Sequence, residues 1–178
     1  MAWTSPKTYT AAVLTAAELN TYQRDNMLMT APGIATATGK LIVTSGANTI
    51  VERTPTATYI ATSETTASGS FADLTTVGPA VTVTTGSEAI VVVTCQLSND
   101  SAGARALMGY AISGATTLAA AAARSLTYES GNAGDFLLAS YMGLVAGLTP
   151  GSNVFTAKYL ATSGNATFVY RALTVIPL

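Results

Sequence analysis

The carboxylate and thiol chemistry open to this sequence rests on nine acidic side chains and one cysteine, with no histidine to accompany them. Without an imidazole the chain lacks the commonest general base and the commonest metal ligand. Ser-His-Asp and Cys-His sites are excluded, and a zinc centre would need Cys and His ligands at spacings that are absent. No P-loop or dinucleotide-type glycine motif is present. The acids are Glu18, Asp25, Glu52, Glu64, Asp73, Glu88, Asp100, Glu129 and Asp135. Two carboxylates flanking one bond could hydrolyse a glycoside, and Glu129 with Asp135 is one such pair. Both sit beside the Ser130-Gly131-Asn132 turn, where an acid is expected to be solvated or to cap the turn. A hard-oxygen cation site could form at Asn99-Asp100 or at Asn132 with Asp135, yet no Asp-x-Asp-x-Asp-Gly loop supports one. Cys95 follows Ile90-Val91-Val92-Val93-Thr94 and is expected as an inert core thiol. Tyr128 and Tyr141 could stack on a sugar if their faces were open; buried rings with wetted hydroxyls are the expectation. The residues predict no catalytic site, no cofactor and no metal.

The elements that position these residues follow from composition and punctuation. Charged residues are 10% and hydrophobic ones 49% of 178 residues. An ordinary soluble domain carries roughly 25% charge. No stretch approaches the roughly 20 apolar residues of a membrane span. A chain so poor in charge is expected to bury surface in a permanent assembly, since obligate interfaces are more apolar than ordinary surface. Net charge is −1 and the basic residues are scattered singly, so neither nucleic acid nor membrane is an expected partner. No positive segment leads into an apolar one, so no signal peptide is expected.

The strongest local signal lies near the start. Thr15 precedes Glu18 by three residues, the spacing of a capping box, and Leu14 and Leu19 take the positions of a hydrophobic staple. An extended arm, Trp3 to Val13, is expected to turn into a short helix over Ala16 to Met29. Ala31-Pro32-Gly33 reads as its stop. Trp3 is a large ring in an arm with no local core, and it must fold back or anchor in a partner. Residues 31–56 read as a linker with a short β-arm: a strand at Gly39–Val43, a turn, and a strand at Thr49–Glu52.

From about Ala57 turns recur every 8–12 residues, the spacing of an all-β sandwich or barrel. Strands are expected at Thr58–Thr62, Ser70–Thr75, Ala80–Thr84, Glu88–Leu97, Ala104–Ile112, Arg124–Tyr128, Asp135–Val145, Asn153–Leu160 and Thr167–Ile176. Val81-Thr82-Val83-Thr84 and Phe155-Thr156-Ala157-Lys158-Tyr159 alternate with period two. Phe136 to Val145 is apolar on both faces, which fits a sandwich middle or a subunit interface. The Ala-rich stretch 115–124 is either a helical turn in a loop or an extension of a strand. The fold expected is mainly β: an N-terminal arm and short α-helix (1–30), the linker (31–56), and a jelly-roll-like antiparallel β-sandwich (57–178).

The N-terminal stretch resembles a pattern at the start of many tailed-phage structural proteins. It runs Trp3, Pro6, Tyr9, then Val13-Leu14-Thr15-Ala16-Ala17-Glu18-Leu19-Asn20 and Arg24-Asp25-Asn26. Ala11-Ala12 stands where that pattern often has Gly-Glu. The segment Gly39-Lys40-Leu41-Ile42-Val43-Thr44-Ser45-Gly46-Ala47-Asn48 looks like the short repeats of phage fibre shafts. The ending, from Leu148-Thr149-Pro150-Gly151-Ser152 to Arg171–Leu178, is similar to β-sandwich knobs of phage virions. The resemblance implies a virion protein with an anchor, a linker and a displayed knob, commonly a homotrimer. The particle-anchoring residues it implies are Trp3, Pro6, Tyr9, Leu14, Leu19, Tyr22, Arg24, Asp25 and Asn26, with Thr15 and Glu18 as the helix cap. The implied partners are further copies of the chain and the major capsid protein or other virion proteins, reached through residues 1–30. Placed on the capsid, such a chain is a decoration protein or head fibre. Placed on the tail, it is a fibre or tip protein that recognises host glycan.

Overall fold

The computed structural model describes residues 8, 13–28 and 31–178. The chain divides into two compact units, Met1–Thr54 and Pro55–Leu178.

In the first unit the backbone at Thr15 is extended and turns into α1 (Ala16–Leu19). A π-helical stretch (Asn20–Arg24) and α2 (Asp25–Leu28) continue it. A further helical turn, α3, spans Ala31–Ile34. Ala31-Pro32-Gly33, expected as a stop, lie within this turn. Proline is tolerated in a first helical turn, where its missing N–H has no intrahelical acceptor. The hairpin β1 (Leu41–Gly46) and β2 (Thr49–Arg53) follows, with Asn48 at φ 55° in its turn. Glu52 ties the preceding segment to it: its two oxygens accept from the Thr36 amide and hydroxyl, each at 2.6 Å. Those bonds hold the Glu52 carboxyl below its ordinary pKa.

The second unit is an antiparallel sandwich. Its strands are β3 (Thr56–Ile60), β4 (Glu64–Thr66), β5 (Ala80–Thr85), β6 (Glu88–Asn99), β7 (Arg105–Gly114), β8 (Ser125–Glu129), β9 (Phe136–Ala146), β10 (Gly151–Ala161) and β11 (Ala166–Pro177). One sheet has the order β5-β10-β7-β8 and the other β3-β11-β6-β9, with β4 also on β11. Leaving out the short β4, the first strand lies beside the last, and the second beside the next to last. That interleaving of two Greek keys is a jelly roll. The core fills from alternating residues. Val81 and Val83, then Ala89, Val91, Val93, Cys95 and Leu97, and then Phe155, Ala157 and Tyr159 all point between the sheets and are buried. The end of β11 is held at the turn before β6, where Leu178 donates to Glu88 at 3.0 Å and Gly86 donates to Leu178 at 2.8 Å.

One segment departs from expectation, and an alternative left open is decided. Ser70–Thr75 is not a strand; only Ala72 bridges, exchanging both backbone hydrogen bonds with Tyr159 at 2.9 Å. Ser68 caps its own turn, accepting from the Ser70 amide at 3.3 Å and donating to the Ser70 carbonyl at 2.6 Å. Such local bonds compete with a ladder, and the segment instead lays Phe71 over the sheet and sinks Leu74 into the core. The Ala-rich stretch follows the first of its two alternatives, a helical turn in a loop. Leu118 bridges Ile112, and a single 3-10 turn follows at Ala122–Arg124.

Candidate functional site

The N-terminal candidates are set by the helix. Thr15 Oγ1 accepts from the Glu18 amide at 3.2 Å, and Glu18 Oε2 accepts from the Thr15 amide at 3.0 Å. This reciprocal box satisfies two donors that a helix start leaves open. Leu14 and Leu19 are exposed, Tyr22 is half-buried, and Asn26 is buried. Asn26 Nδ2 donates to the Tyr22 carbonyl at 3.2 Å, and Arg24 pairs with Asp25 at 2.8 Å. Leu19, Asn20, Gln23, Arg24, Met27 and Leu28 line a shallow groove of about 420 Å³ along one side of the helix. Of these, Leu19, Met27 and Leu28 are exposed apolar side chains. Trp3, Pro6 and Tyr9 lie outside the described residues.

In the jelly roll, each acid that the sequence offers for chemistry has a neighbour of its own. Glu129 pairs with Arg105 at 2.7 Å. Asp135 accepts from the Asn132 amide at 2.9 Å and its side-chain amide at 3.0 Å, closing the turn. Asp100 accepts from the Asn165 amide at 2.8 Å and side chain at 2.7 Å, and those bonds hold its carboxyl below the ordinary value. Among the described residues no group of three or more His, Cys, Asp or Glu could hold a metal ion. Burial pushes the Cys95 thiol up to about 12, which leaves it un-ionised and inert at neutral pH. Tyr128 and Tyr141 are half-buried and pack against the core; Tyr141 also donates to the Ala123 carbonyl at 3.3 Å. Their rings serve the sandwich.

Sequence reasoning missed the charge in the interior. A register shift in the β11–β6 pairing lies between Val169 and Ala172, with Tyr170 at φ 54°. The extra residue turns Arg171 inward, where its side chain is fully buried. Arg171 Nη2 donates to Thr62 at 3.0 Å and pairs with Glu64 at 3.2 Å. Its guanidinium also lies 5.6 Å from the Tyr159 ring centroid. Burial alone would raise the Glu64 pKa; bonds from Thr76 and the charge of Arg171 outweigh it and lower it instead. The pair is a clamp. It holds β4 and the loop at Thr76 against β11.

The outward faces of the two sheets remain. Over β10 and β7, residues 69–71 and 119–120 border an open cleft of about 530 Å³, with Ala111, Lys158 and Leu160 as its floor. Lys158 Nζ bonds both oxygens of Asp73 at 2.7 Å. Gly109 lets Phe71 approach: a Cβ there would lie 3.1 Å from the ring. The opposite face, over β9, β6 and β11, is different. Phe136, Leu138, Met142 and Leu144 project from β9 at 68%, 59%, 70% and 59% exposure. Sequence reading allowed that strand a place in the middle of a sandwich; it is the edge of its sheet. Its inward residues Ala139, Tyr141 and Val145 pack on the core, while the other apolar set lies open. The continuous apolar run was the legible signal. Leu144, and the partners it meets on β6, were not picked out.

No family model matches the sequence, and no curated protein matches it. Solved structures are similar to it at a distance. The VP2 subviral particle of infectious bursal disease virus is similar at 10% identity and a TM-score of 0.46, over 75% of this chain and 36% of that one. This chain therefore spans about a third of that protein's length. A family 35 carbohydrate-binding module from Clostridium thermocellum is similar at 15% identity and a TM-score of 0.33, over 78% and 98% of the two chains. A carbohydrate-binding module of the Cellvibrio mixtus lichenase 5A, in complex with cellotriose, is similar at 12% identity and a TM-score of 0.33, over 84% and 95%. At these values the likeness carries neither a role nor a residue across.

Proposed function

We propose that this chain is a structural protein of a tailed-bacteriophage virion, a homotrimer set on the capsid surface as a decoration protein or head fibre and attached through residues 1–30 to the major capsid protein. The carrying observation is the contrast between its two units. In the jelly roll the acids considered for catalysis or metal binding are bonded to their own neighbours. In the N-terminal unit a capped helix leaves Leu19, Met27 and Leu28 exposed along one side. Many weak docks of that kind on a repeating lattice add up through avidity. The role is non-catalytic, needs no cofactor, and takes neither nucleic acid nor membrane as partner. Two measurements test it. Band intensities from purified virions should give a copy number on the scale of the capsid protein itself; a handful of copies overturns the capsid placement. Leu19→Asp with Met27→Asp should abolish attachment to particles and leave the β-sheet circular dichroism unchanged. Undiminished attachment overturns the helix as anchor.

The second reading places the chain on the tail as a fibre or tip protein that recognises host glycan. The cleft beside Lys158 favours it, since Phe71 offers a ring and Lys158 a donor at one opening. A glycan array probed with the full chain tests this reading. Binding that Phe71→Ala and Lys158→Ala both remove would establish it, and an array without signal would discard it.

A further inference from the structure

We infer that the outward face of the β3-β11-β6-β9 sheet is where one copy of this chain meets the next. The register aligns the outward residues in rows. Leu144 lies beside Ile90, and Ile90 beside Ile176. Met142 lies beside Val92, and Val92 beside Thr174. Among the described residues the only charged side chain on this face is Glu88, at one end of β6. A nucleic acid or an anionic membrane surface is recognised by charge, and this face presents none of the positive charge that either needs. A second uncharged sheet fits it, and a further copy of the chain brings one.

Size and relief agree. Strands β9, β6 and β11 lie about 4.8 Å apart and rise about 3.4 Å per residue. With the short β3 they make a surface of roughly 600 Å² before side chains roughen it. A stable interface takes about 800 Å² from each partner. The face is also graded. Phe136, Leu138, Met142 and Leu144 stand as a ridge along its β9 margin. Thr94, Ala172 and Thr174 are small side chains near its middle, between that ridge and Tyr59 on the β3 margin, which is 57% exposed. A ridge on one margin beside a trough in the middle is complementary between copies in head-to-tail order. Head-to-tail contacts close into a ring when the rotation permits. The β9 edge carries no Lys and no Pro to deter pairing; natural sheets blunt bare edges of this length in such ways unless something covers them.

The inference deepens the proposal of an assembled virion protein and rests on it only for the number of copies. Its test uses the full chain, purified away from any particle, by size-exclusion chromatography with light scattering across a dilution series. The wild type is expected at a multiple of the monomer mass, threefold if the ring is a trimer. Met142→Lys with Leu144→Lys should fall to the monomer mass, while Thr82→Lys on the opposite sheet should keep the assembly. The milder pair Met142→Gln and Leu144→Thr should shift the dissociation midpoint at least tenfold toward higher concentration, with an unchanged circular dichroism spectrum, which separates lost contact from lost fold. A monomeric wild type overturns the inference, and so does a milder pair that keeps its fold and its wild-type midpoint. Either result leaves particle attachment through residues 1–30 standing, and loss of attachment alone leaves this face standing.

Discussion

The two outward faces of the jelly roll are built from strands of similar length and end in opposite states. Over β10, β7 and β8 the chain covers itself: Phe71 lies on Gly109, Leu107 is buried although it points away from the core, and ion pairs join Lys158 to Asp73 and Arg105 to Glu129. Over β9, β6 and β11 the outward side chains are uncharged apart from Glu88, and four large apolar groups stand more than half exposed. The difference lies in the connections. The long segment between β4 and β5 and the one between β7 and β8 both return to the first face. One face is thus covered within a single chain, whereas the other leaves Phe136, Leu138, Met142 and Leu144 open.

Substitutions rank that contrast by size. The largest loss is expected at the clamp that holds the covering loop. Glu64→Ala strands the buried Arg171 charge and should cost about 3 kcal/mol in urea unfolding; a loss below about 1 kcal/mol would mean that the guanidinium is satisfied without Glu64. Next is Gly109→Ala, whose Cβ would press on Phe71 at 3.1 Å and on Ser125 at 3.3 Å. A cost of about 1–2 kcal/mol is expected, with faster proteolysis of residues 67–76 as its signature. An unaltered cleavage rate would show that Phe71 moves aside freely. Smaller again is the effect of acid. The Glu64 carboxyl is held below 4.5 in the folded chain. A carboxylate so lowered stabilises the fold above its unfolded pKa, and that contribution is lost as pH falls through the folded value. The unfolding midpoint should decline as pH drops below about 4.5, and Glu64→Gln should flatten part of the decline. An identical pH profile in that variant would assign the acid sensitivity elsewhere. The smallest effect belongs to Thr82→Lys, an exposed substitution on the covered side, expected within about 0.5 kcal/mol of wild type.

How much of this was legible depends on whether neighbours in sequence or neighbours in space decide the outcome. Period-two alternation marked Val81 with Val83, and Phe155 with Tyr159, because one side of each strand meets the core directly. Turn residues divided the sandwich strands to within a few positions for the same local reason. Ser70–Thr75 failed because residues that could pair were needed to cover a sheet. Arg171 failed because the bulge that turns it inward is set by pairing with β6, and nothing in Val169-Tyr170-Arg171-Ala172 announces a slip in alternation. The strand from Phe136 to Ala146 was read correctly as apolar on both sides, but sequence does not distinguish a side already covered from one awaiting cover. Of the residues proposed for anchoring, the helix cap follows from local spacing. Trp3, Pro6 and Tyr9 lie outside the described residues.

The joint at Thr54 and Pro55 gives the pairing of β3 a mechanical meaning. Whatever tension reaches the jelly roll from the N-terminal unit enters along β3, whose residues pair from Thr56 with Val175 to Ile60 with Arg171. Strand β11 is in turn laced to β6 over most of its length and to β4 beyond the bulge. A pull directed along β3 loads that whole ladder in shear, so its hydrogen bonds resist together. The strand through which a tether would be felt is therefore seated against a strand that is itself paired with β4 and β6.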